Sequence, residues 1–175
     1  MNITLKLHEA DRKKLEDTLT RMVHIYERLQ PGMDKVADRI RLGFQRNFES
    51  ESGGGQPWES LAPMTIAERD RLRQEHGWPI TPEHPILRRT GELRQSVIEK
   101  GHPLHVCEIS HDWSGVMVEV GSDDPRFEIL HGGGRNESGA YVPPRPMTVL
   151  SDADIDGLQQ VLEWIAGELA KNGFQ

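Results

Sequence analysis

Apolar residues recur at helical spacing at both ends of the chain, and this pattern constrains the fold more than any other feature. Two such patterns cover about residues 11 to 29 and 33 to 48, and a third covers about residues 152 to 169. Pro31-Gly32 lies between the first two and is predicted to end the first helix, because proline removes a helical hydrogen bond. The spacing leaves open an antiparallel helix pair or one kinked helix.

The segment between the helical ends is predicted to form a small, mainly antiparallel sheet. Residues 97–98, 104–109 and 115–120 are β-branched or alternate between apolar and polar. The residues from 111 to 115 are typical of a hairpin turn between the last two strands. Residues 2 to 7 also alternate, which favours a short strand.

Helices at both ends around a small sheet predict an α+β fold. The chain has 175 residues, which fits a single domain over residues 1 to 175 with a substantial core. Ser151 is expected to cap the last helix, with Asp152 and Asp154 favourable at its N-terminus. A charged helix is expected at residues 66 to 76, followed by extended chain through the prolines up to residue 85.

Two glycine-rich segments are predicted to be flexible loops, at about residues 49 to 57 and 132 to 140. The first has no apolar side chain to anchor it, and its three consecutive glycines maximise chain entropy. Neither segment has the Lys-Ser/Thr sequence of a phosphate-binding loop. Both are therefore interpreted as connections between elements.

Charge and composition disfavour several classes of function. The formal net charge is -7, whereas a protein that grips duplex DNA needs clustered Lys and Arg to neutralise phosphates. The apolar runs are too short to cross a membrane, so no membrane partner is expected. The single cysteine, Cys107, cannot form an intrachain disulfide and fits a reducing cytoplasm.

Histidine and cysteine lie close together in one part of the chain and are candidate metal ligands. The candidate set is His102, His105, Cys107 and His111. Side chains on one face of a strand are spaced about 7 Å apart, too far for all of them to reach one zinc ion. No metal site and no cofactor are predicted.

Nucleophilic catalysis is not predicted either. Ser96 and Ser114 lack the Gly-x-Ser-x-Gly elbow of a hydrolase, and Cys107 has no obvious setting that would lower its pKa. The remaining enzyme alternative is a small hydrolase that uses His131 with a carboxylate such as Glu128. No catalytic residue is assigned.

Residues 86 to 97 allow two interpretations. In the structural one, this segment leads into the sheet, and Thr90 caps a short helical turn that carries Leu93 and Val97. In the functional one, the segment presents a basic edge to an acidic partner surface, formed by Arg88, Arg89 and Arg94.

Residues 142 to 146 form a second motif, in which prolines hold an extended arm. Arg145 is expected to project from this arm as a fixed guanidinium suited to a carboxylate. A subunit contact and an internal ion pair are both compatible with the sequence.

Short motifs follow one another in a defined order from the middle of the chain to its end. They comprise Trp58, Leu61 and Thr65; Ile86, Leu87, Thr90, Gly91, Leu93, Ser96 and Val97; Val120 and Gly121; Phe127 and His131; and Arg145 and Pro146, followed by Leu150 and Ser151. This order and spacing resemble the phage virion morphogenesis, or tail completion, family of Mu-like and P2-like phages. The resemblance covers about residues 40 to 160. It departs from the family pattern at Glu128, where members often have a small residue, and at residues 132 to 134, where they often have Gln-x-Gly.

The resemblance implies a structural virion protein and no enzyme activity. Such proteins act in tail completion or head-tail joining, and assemble as a ring at the neck or tail end after synthesis in the host cytoplasm. The implied partners are other copies of the chain and neighbouring neck, connector or tail tube proteins, with DNA passing through without sequence-specific binding.

Three alternatives remain open at this stage. A tail terminator or another minor tail protein would share the size and class of a tail completion protein. A small hydrolase would need His131 for activity. A nucleic-acid-binding module would retain DNA in a salt-sensitive way, which the acidic net charge disfavours.

Overall fold

The computed structural model describes residues 9–77, 84–112 and 115–171 and confirms the α+β class. Along these residues the chain forms α1 (Glu9–Ser50), β1 (Ser52–Gly53), β2 (Gln56–Pro57), α2 (Pro63–His76), α3 (Glu92–Ile98), β3 (His105–Asp112), β4 (Gly115–Ser122), α4 (Phe127–Gly132), β5 (Gly134–Arg135), β6 (Tyr141–Val142) and α5 (Asp152–Lys171). Strand β1 pairs with β2, β3 with β4, and β5 with β6, and each pair forms a separate antiparallel hairpin. The predicted strand at residues 2 to 7 lies outside the described residues.

Helix α1 runs without interruption through Pro31, so the predicted break at Pro31-Gly32 is wrong. The antiparallel-pair alternative is excluded by the same observation. Gly32 lies directly under Ile165 of α5, where a Cβ atom would collide with the isoleucine side chain. We attribute the continuity of α1 to this packing, because tertiary contacts of a helix outweigh one lost backbone hydrogen bond.

The core joins the second half of α1 to α3 and to the arm before α5. Its buried members are Phe44, Phe48, Trp58, Ile86, Leu93, Val97, Ile98 and Met147. The rings of Phe48 and Trp58 meet edge to face with their centroids 5.7 Å apart. This arrangement is favoured by aromatic quadrupoles and adds to the gain from burial.

The hairpin of β3 and β4 confirms the two predicted strands, with Asp112 opposite Gly115. The turn residues Trp113 and Ser114 lie outside the described residues. The strand predicted at residues 97–98 is wrong, because these residues end α3. Leu93, Ser96 and Val97 are buried along one helical face, so burial at helical spacing overrides the β preference of the branched side chains.

The first turn of α3 begins at Gly91, so the predicted cap by Thr90 is also wrong. Gly91 occupies the N-cap position with φ 88°, and no side chain caps the helix. A left-handed backbone of this kind strongly favours glycine. The glycine in the motif therefore sets the direction in which the chain enters α3.

The first glycine-rich segment, predicted as a flexible loop at residues 49 to 57, contains the β1–β2 hairpin. Glu51 closes it: its carbonyl accepts a hydrogen bond from the Trp58 amide at 2.7 Å, and its carboxylate accepts one from the Ile86 amide at 2.7 Å. Gly53 packs directly against Pro146, where no Cβ atom would fit. Backbone hydrogen bonds and close backbone contacts order this segment, in place of apolar side chains.

The second glycine-rich segment, predicted at residues 132 to 140, begins at the end of α4 and contains β5 and its turn. The Asn136 amide donates to the Ala140 carbonyl at 3.0 Å, and the Ala140 amide donates to the Asn136 side chain at 2.9 Å. Asparagine commonly closes turns in this way. This segment is also a hairpin.

The N-terminus of α5 is capped as predicted. The Asp154 amide donates to Ser151 Oγ at 3.3 Å, and the Asp154 carboxylate accepts from the Ser151 amide at 3.1 Å. This reciprocal pair satisfies backbone groups that the helix leaves free. Asp154 is buried and also forms an ion pair with Arg46 of α1, which fixes α5 against α1.

Helix α2 confirms the predicted charged helix and extends it at its start. It begins at Pro63, a residue suited to the first helical position, and ends at Gly77 with φ 63°. Residues 78 to 83 of the predicted extended stretch lie outside the described residues. Among the described helices, none combines the length and apolar character needed to span a membrane.

Candidate functional site

The fold brings the widely spaced motif residues together. Trp58 and Leu93 are core residues, and Leu61, Leu87 and Phe127 pack against that core. The motifs therefore describe one packed unit, assembled from the loop before α2, the entry to α3, and α4.

Ser96 is a polar anchor inside this unit, with no exposed surface. Its hydroxyl donates to the Leu93 carbonyl at 2.8 Å and accepts from Ser122 Oγ at 2.7 Å. Its carbonyl accepts a hydrogen bond from His105 Nδ1 at 3.1 Å, which requires the proton on that nitrogen. Gly121, which precedes Ser122 in β4, pairs with Val106 of β3. The serine of the motif thus ties α3 to the β3–β4 hairpin.

His131 holds the arm that precedes α5. Its Nδ1 atom accepts a hydrogen bond from the Met147 amide at 3.0 Å, and its ring stacks on Phe127 at 5.3 Å. Burial lowers the pKa of His131, which favours the neutral ring that this hydrogen bond requires. Glu128 is exposed, and no hydrogen bond or ion pair between Glu128 and His131 occurs among the described residues. The geometry gives this histidine a structural partner.

Arg145 does not project from the arm as predicted, because its side chain is only 5% exposed. Its backbone amide donates to the Leu130 carbonyl at 3.0 Å, and its Nη2 atom donates to the Glu59 carbonyl at 3.2 Å. Burial lowers the pKa of Arg145, and the charge of Glu59 partly offsets this. Arg145 is therefore an internal residue, but its side chain bonds to a backbone carbonyl, and the predicted internal ion pair does not occur among the described residues. Pro146 follows it and packs on Gly53.

A surface cavity of about 350 Å³ lies beside the core, between α2, the entry to α3, and α4. We call it the arginine cavity, and its lining consists of Thr65, Glu68, Arg69, Leu72, Leu87, Arg89, Thr90, Leu93, Arg126 and Leu130. Leu87 adopts a left-handed backbone with φ 60°, a strained conformation for a leucine. Strain of this kind persists only where the surrounding structure holds it, and it often accompanies functional sites.

Positive charge dominates the polar part of the arginine cavity. Arg69 is 9% exposed and donates to the Pro85 carbonyl at 2.8 Å. Burial lowers the pKa of Arg69, and the positive charges of Arg89, Arg73 and Arg145 lower it further. The cavity therefore holds like charges at close range, in an environment that an incoming anion would stabilise.

The other charged groups of the cavity differ in whether they have partners. Arg126 is neutralised by Asp124, with contacts of 2.9 Å and 2.5 Å. Glu68 accepts hydrogen bonds from Arg71 at 2.8 Å and 2.6 Å. Arg89 is exposed, and it has no hydrogen bond or ion pair within the described part of the chain. Arg89 is therefore the guanidinium most available to a partner.

The three arginines of the predicted basic edge differ in their surroundings. Arg89 lines the cavity, whereas the Nε atoms of Arg88 and Arg94 are buried with no hydrogen-bond partner among the described residues. Sequence reasoning missed Arg69 and Arg126. A signal for Arg69 existed, because Thr65, Arg69 and Leu72 share one face of α2 at helical spacing.

Two of the four candidate metal ligands have other partners, and Cys107 is exposed. His102 lies 3.3 Å from the Glu92 carboxylate, and His105 bonds to Ser96. Among residues 9–77, 84–112 and 115–171, no group of three or more His, Cys, Asp or Glu is arranged to hold a metal ion. The side chain of His111 lies outside the described ones.

Comparison of the chain with protein-family models, with curated proteins and with solved structures gives no match.

Proposed function

We propose that this protein is a structural component of a phage virion, which completes the tail or joins it to the head as part of a ring at the neck or tail end. The observation that carries the proposal is the convergence of the motif residues. Trp58, Leu93 and Ser96 are buried together, and Arg145 and His131 fix the arm against the same unit. A motif series whose members pack together is more informative than the same residues scattered over a surface.

The arginine cavity supports a role in protein–protein contact. It combines apolar side chains with guanidinium groups, and arginine is enriched at protein interfaces. Its volume of about 350 Å³ is sufficient for a few side chains of a partner. The surrounding structure holds the Leu87 backbone in its strained conformation, so this wall of the cavity has a defined shape.

Charge supports the passage of DNA without retention. The net charge of -7 repels the phosphate backbone, so an acidic ring lining would let DNA slide. In this proposal the protein acts mechanically, by continuing the channel between head and tail. It binds neighbouring virion proteins and other copies of itself, and it needs no cofactor.

The direct test is the presence of the protein in purified virions. Particles of the encoding phage would be purified on a density gradient, and this protein would be quantified and labelled with gold-conjugated antibody. We expect a fixed number of copies per particle and label at the neck or tail end. A protein confined to the soluble lysate, with none in gradient-purified particles, would contradict the proposal.

A further inference from the structure

Helix α5 presents an exposed face that combines carboxylates with apolar side chains. We call it the acidic face, and it consists of Asp152, Ile155, Asp156, Gln159, Leu162, Glu163 and Ala166. These positions lie on one side of the helix because they recur at intervals of three, four and seven residues. Ile155 and Leu162 are 52% and 51% exposed, which is high for large apolar residues.

The opposite side of α5 is already occupied. Asp154, Gly157 and Ile165 are buried where the helix packs on α1. Gly157 lies against the Arg39 guanidinium, and Asp154 pairs with Arg46. Packing within the chain therefore fixes the orientation of α5 and leaves the acidic face pointing outward.

The acidic face and the arginine cavity are complementary in charge and in apolar character. The cavity offers Arg89, which has no hydrogen bond or ion pair among the described residues and lies near Glu68, together with the buried Arg69 and leucines at positions 72, 87, 93 and 130. The acidic face offers carboxylates beside Ile155 and Leu162. We propose that the arginine cavity of one copy of this chain receives the acidic face of α5 from a second copy. This inference rests on the ring assembly in the proposed function, and it names the two surfaces that form the subunit contact.

A second copy accounts for both components of the cavity better than a nucleic acid does. Phosphates would satisfy Arg89 and Arg69, but they would leave the leucines in contact with solvent. An amphipathic helix face satisfies the guanidinium groups and covers apolar surface at the same time. The net charge of -7 opposes both kinds of partner, but the acidic face of a second copy also brings apolar side chains, which a phosphate backbone lacks.

The proposed contact is heterologous, because it joins two different surfaces. Each copy uses its cavity for one neighbour and its helix for the other. Contacts of this type generate closed rings when the rotation between neighbours closes, and open chains when it does not. Self-association should therefore continue beyond a dimer.

Charge reversal tests the contact in the purified protein. Arg89→Glu reverses the cavity, and the double variant Asp156→Lys/Glu163→Lys reverses the acidic face. Sedimentation velocity over a concentration series would compare wild type, each reversed form and the triple combination. We expect wild type to form species larger than dimers, each reversed form to lose at least tenfold in association constant, and the triple combination to recover most of it.

Matched controls separate a specific contact from net charge. Lys13→Glu makes the same charge change as Arg89→Glu. Asp17→Lys makes the same charge change as one of the two substitutions on the acidic face. Both control positions are exposed and lie near the start of α1. We expect neither to change association. Melting temperatures would verify that each variant is folded.

Cysteine cross-linking provides a second measurement that does not depend on reversing charges. In a Cys107→Ser background, Thr90→Cys places a thiol at the cavity and Gln159→Cys places one on the acidic face. Under mild oxidation, the protein with both cysteines should form a ladder of multimers. Either cysteine alone should give no ladder.

Several results would overturn the inference. These are a wild-type protein that stays monomeric at the highest accessible concentration, reversed forms that associate normally, and the absence of a cross-linked ladder. Duplex DNA binding that Arg89→Glu abolishes, with self-association unchanged, would assign the cavity to nucleic acid. If the contact between the arginine cavity and the acidic face is absent but the protein is found at the neck of purified virions, the inference fails and the proposed function stands. If the contact forms but the protein is absent from purified virions, the inference stands and the proposed function fails.

Discussion

Three polar side chains hold the arm before α5 in place: the buried Asn47 and Arg145, and the half-buried His131. Asn47 of α1 donates to the carbonyls of Met147 and Val149, at 2.9 Å and 2.7 Å. His131 accepts from the Met147 amide, and Arg145 of the arm donates to the Glu59 carbonyl. Together these bonds satisfy backbone groups of a segment that has no regular secondary structure to pair them.

Asn47→Ala should lower the free energy of unfolding by about 2 kcal/mol, because it leaves two carbonyls without their donor. Urea denaturation would measure the change. Gln45→Ala is the control, since Gln45 is on the same helix and, among the described residues, its side chain bonds to the exposed Glu49 side chain alone. We expect a change within about 0.5 kcal/mol for this control. Equal effects of the two substitutions would contradict the structural role of Asn47.

His131 should make stability depend on pH. Burial lowers its pKa below the ordinary value of 6.5, so the unfolded chain takes up a proton at a higher pH than the folded chain. The stability contributed by the neutral ring is fully present above about pH 6.5 and is lost as the pH falls through the window below it.

Urea denaturation of wild type and His131→Asn between about pH 7.5 and about pH 5 would test this. Wild type should lose more stability than the variant over this range, because asparagine can accept the Met147 amide hydrogen bond but does not titrate. The other histidines are common to both proteins and cancel in the comparison. Parallel pH profiles would show that His131 is not buried as described.

At the scale of elements, the glycine-rich segments show how backbone geometry orders a chain without apolar anchors. Gly133 ends α4 with φ 74° and ψ -178°, and a Cβ atom there would collide with the Pro144 backbone. Gly139 has φ 80° but faces open space. Glycine is thus required at position 133 both by its positive φ and by the close contact with Pro144, whereas at position 139 the positive φ alone requires it.

Gly133→Ala should therefore destabilise the protein more than Gly139→Ala. We expect a loss of about 1 to 2 kcal/mol at Gly139 from the left-handed backbone alone. At Gly133 the loss should reach about 3 kcal/mol or more, because backbone atoms must also move. Thermal or urea unfolding of both variants would measure the difference. Equal losses would indicate that the segment does not pack on Pro144.

Elements with strong periodicity or alternation were predictable from the sequence, and elements defined by distant contacts were not. The helix α5 with its Ser151 cap and the β3–β4 hairpin follow from local patterns. The continuity of α1 through Pro31 depends on Ile165, which is far away in the chain. The helical state of residues 97–98 depends on burial against α1 and the arm, which a β-branched pair does not reveal.

The candidate site was predictable to a similar degree. Several motif residues named from the sequence, among them Trp58, Leu93 and Phe127, lie in the core or against it. The inward orientation of Arg145 and the role of Arg69 were missed, since both depend on which side of an element faces the core. Arg89 was identified, but its neighbours in the cavity come from α2 and α4.

At the scale of the whole molecule, the charge distribution matters more than the total charge. The chain carries a net charge of -7, yet the arginine cavity concentrates positive charge at one place. The exposed carboxylates of α5 concentrate the opposite charge elsewhere on the surface. In the proposed contact these two surfaces attract each other locally, against the repulsion between copies that carry the same net charge.

Salt should therefore weaken self-association. Raising the salt concentration from about 0.05 M to about 0.5 M shortens the Debye length several-fold and screens exposed charge pairs. We expect the association constant from sedimentation velocity to fall by about tenfold over this range. The triple charge-reversed variant should show the same dependence. Association that strengthens with salt would point to an apolar contact in which the charges contribute little.

The most direct test of the central claim is the imaging of particles made without this protein. Host cells infected with a phage that lacks the gene would be lysed and examined by negative-stain electron microscopy, beside cells complemented with wild type. The account predicts separate filled heads and unattached or malformed tails, with joined particles restored by complementation. Normal particles with intact necks in the absence of the protein would contradict it.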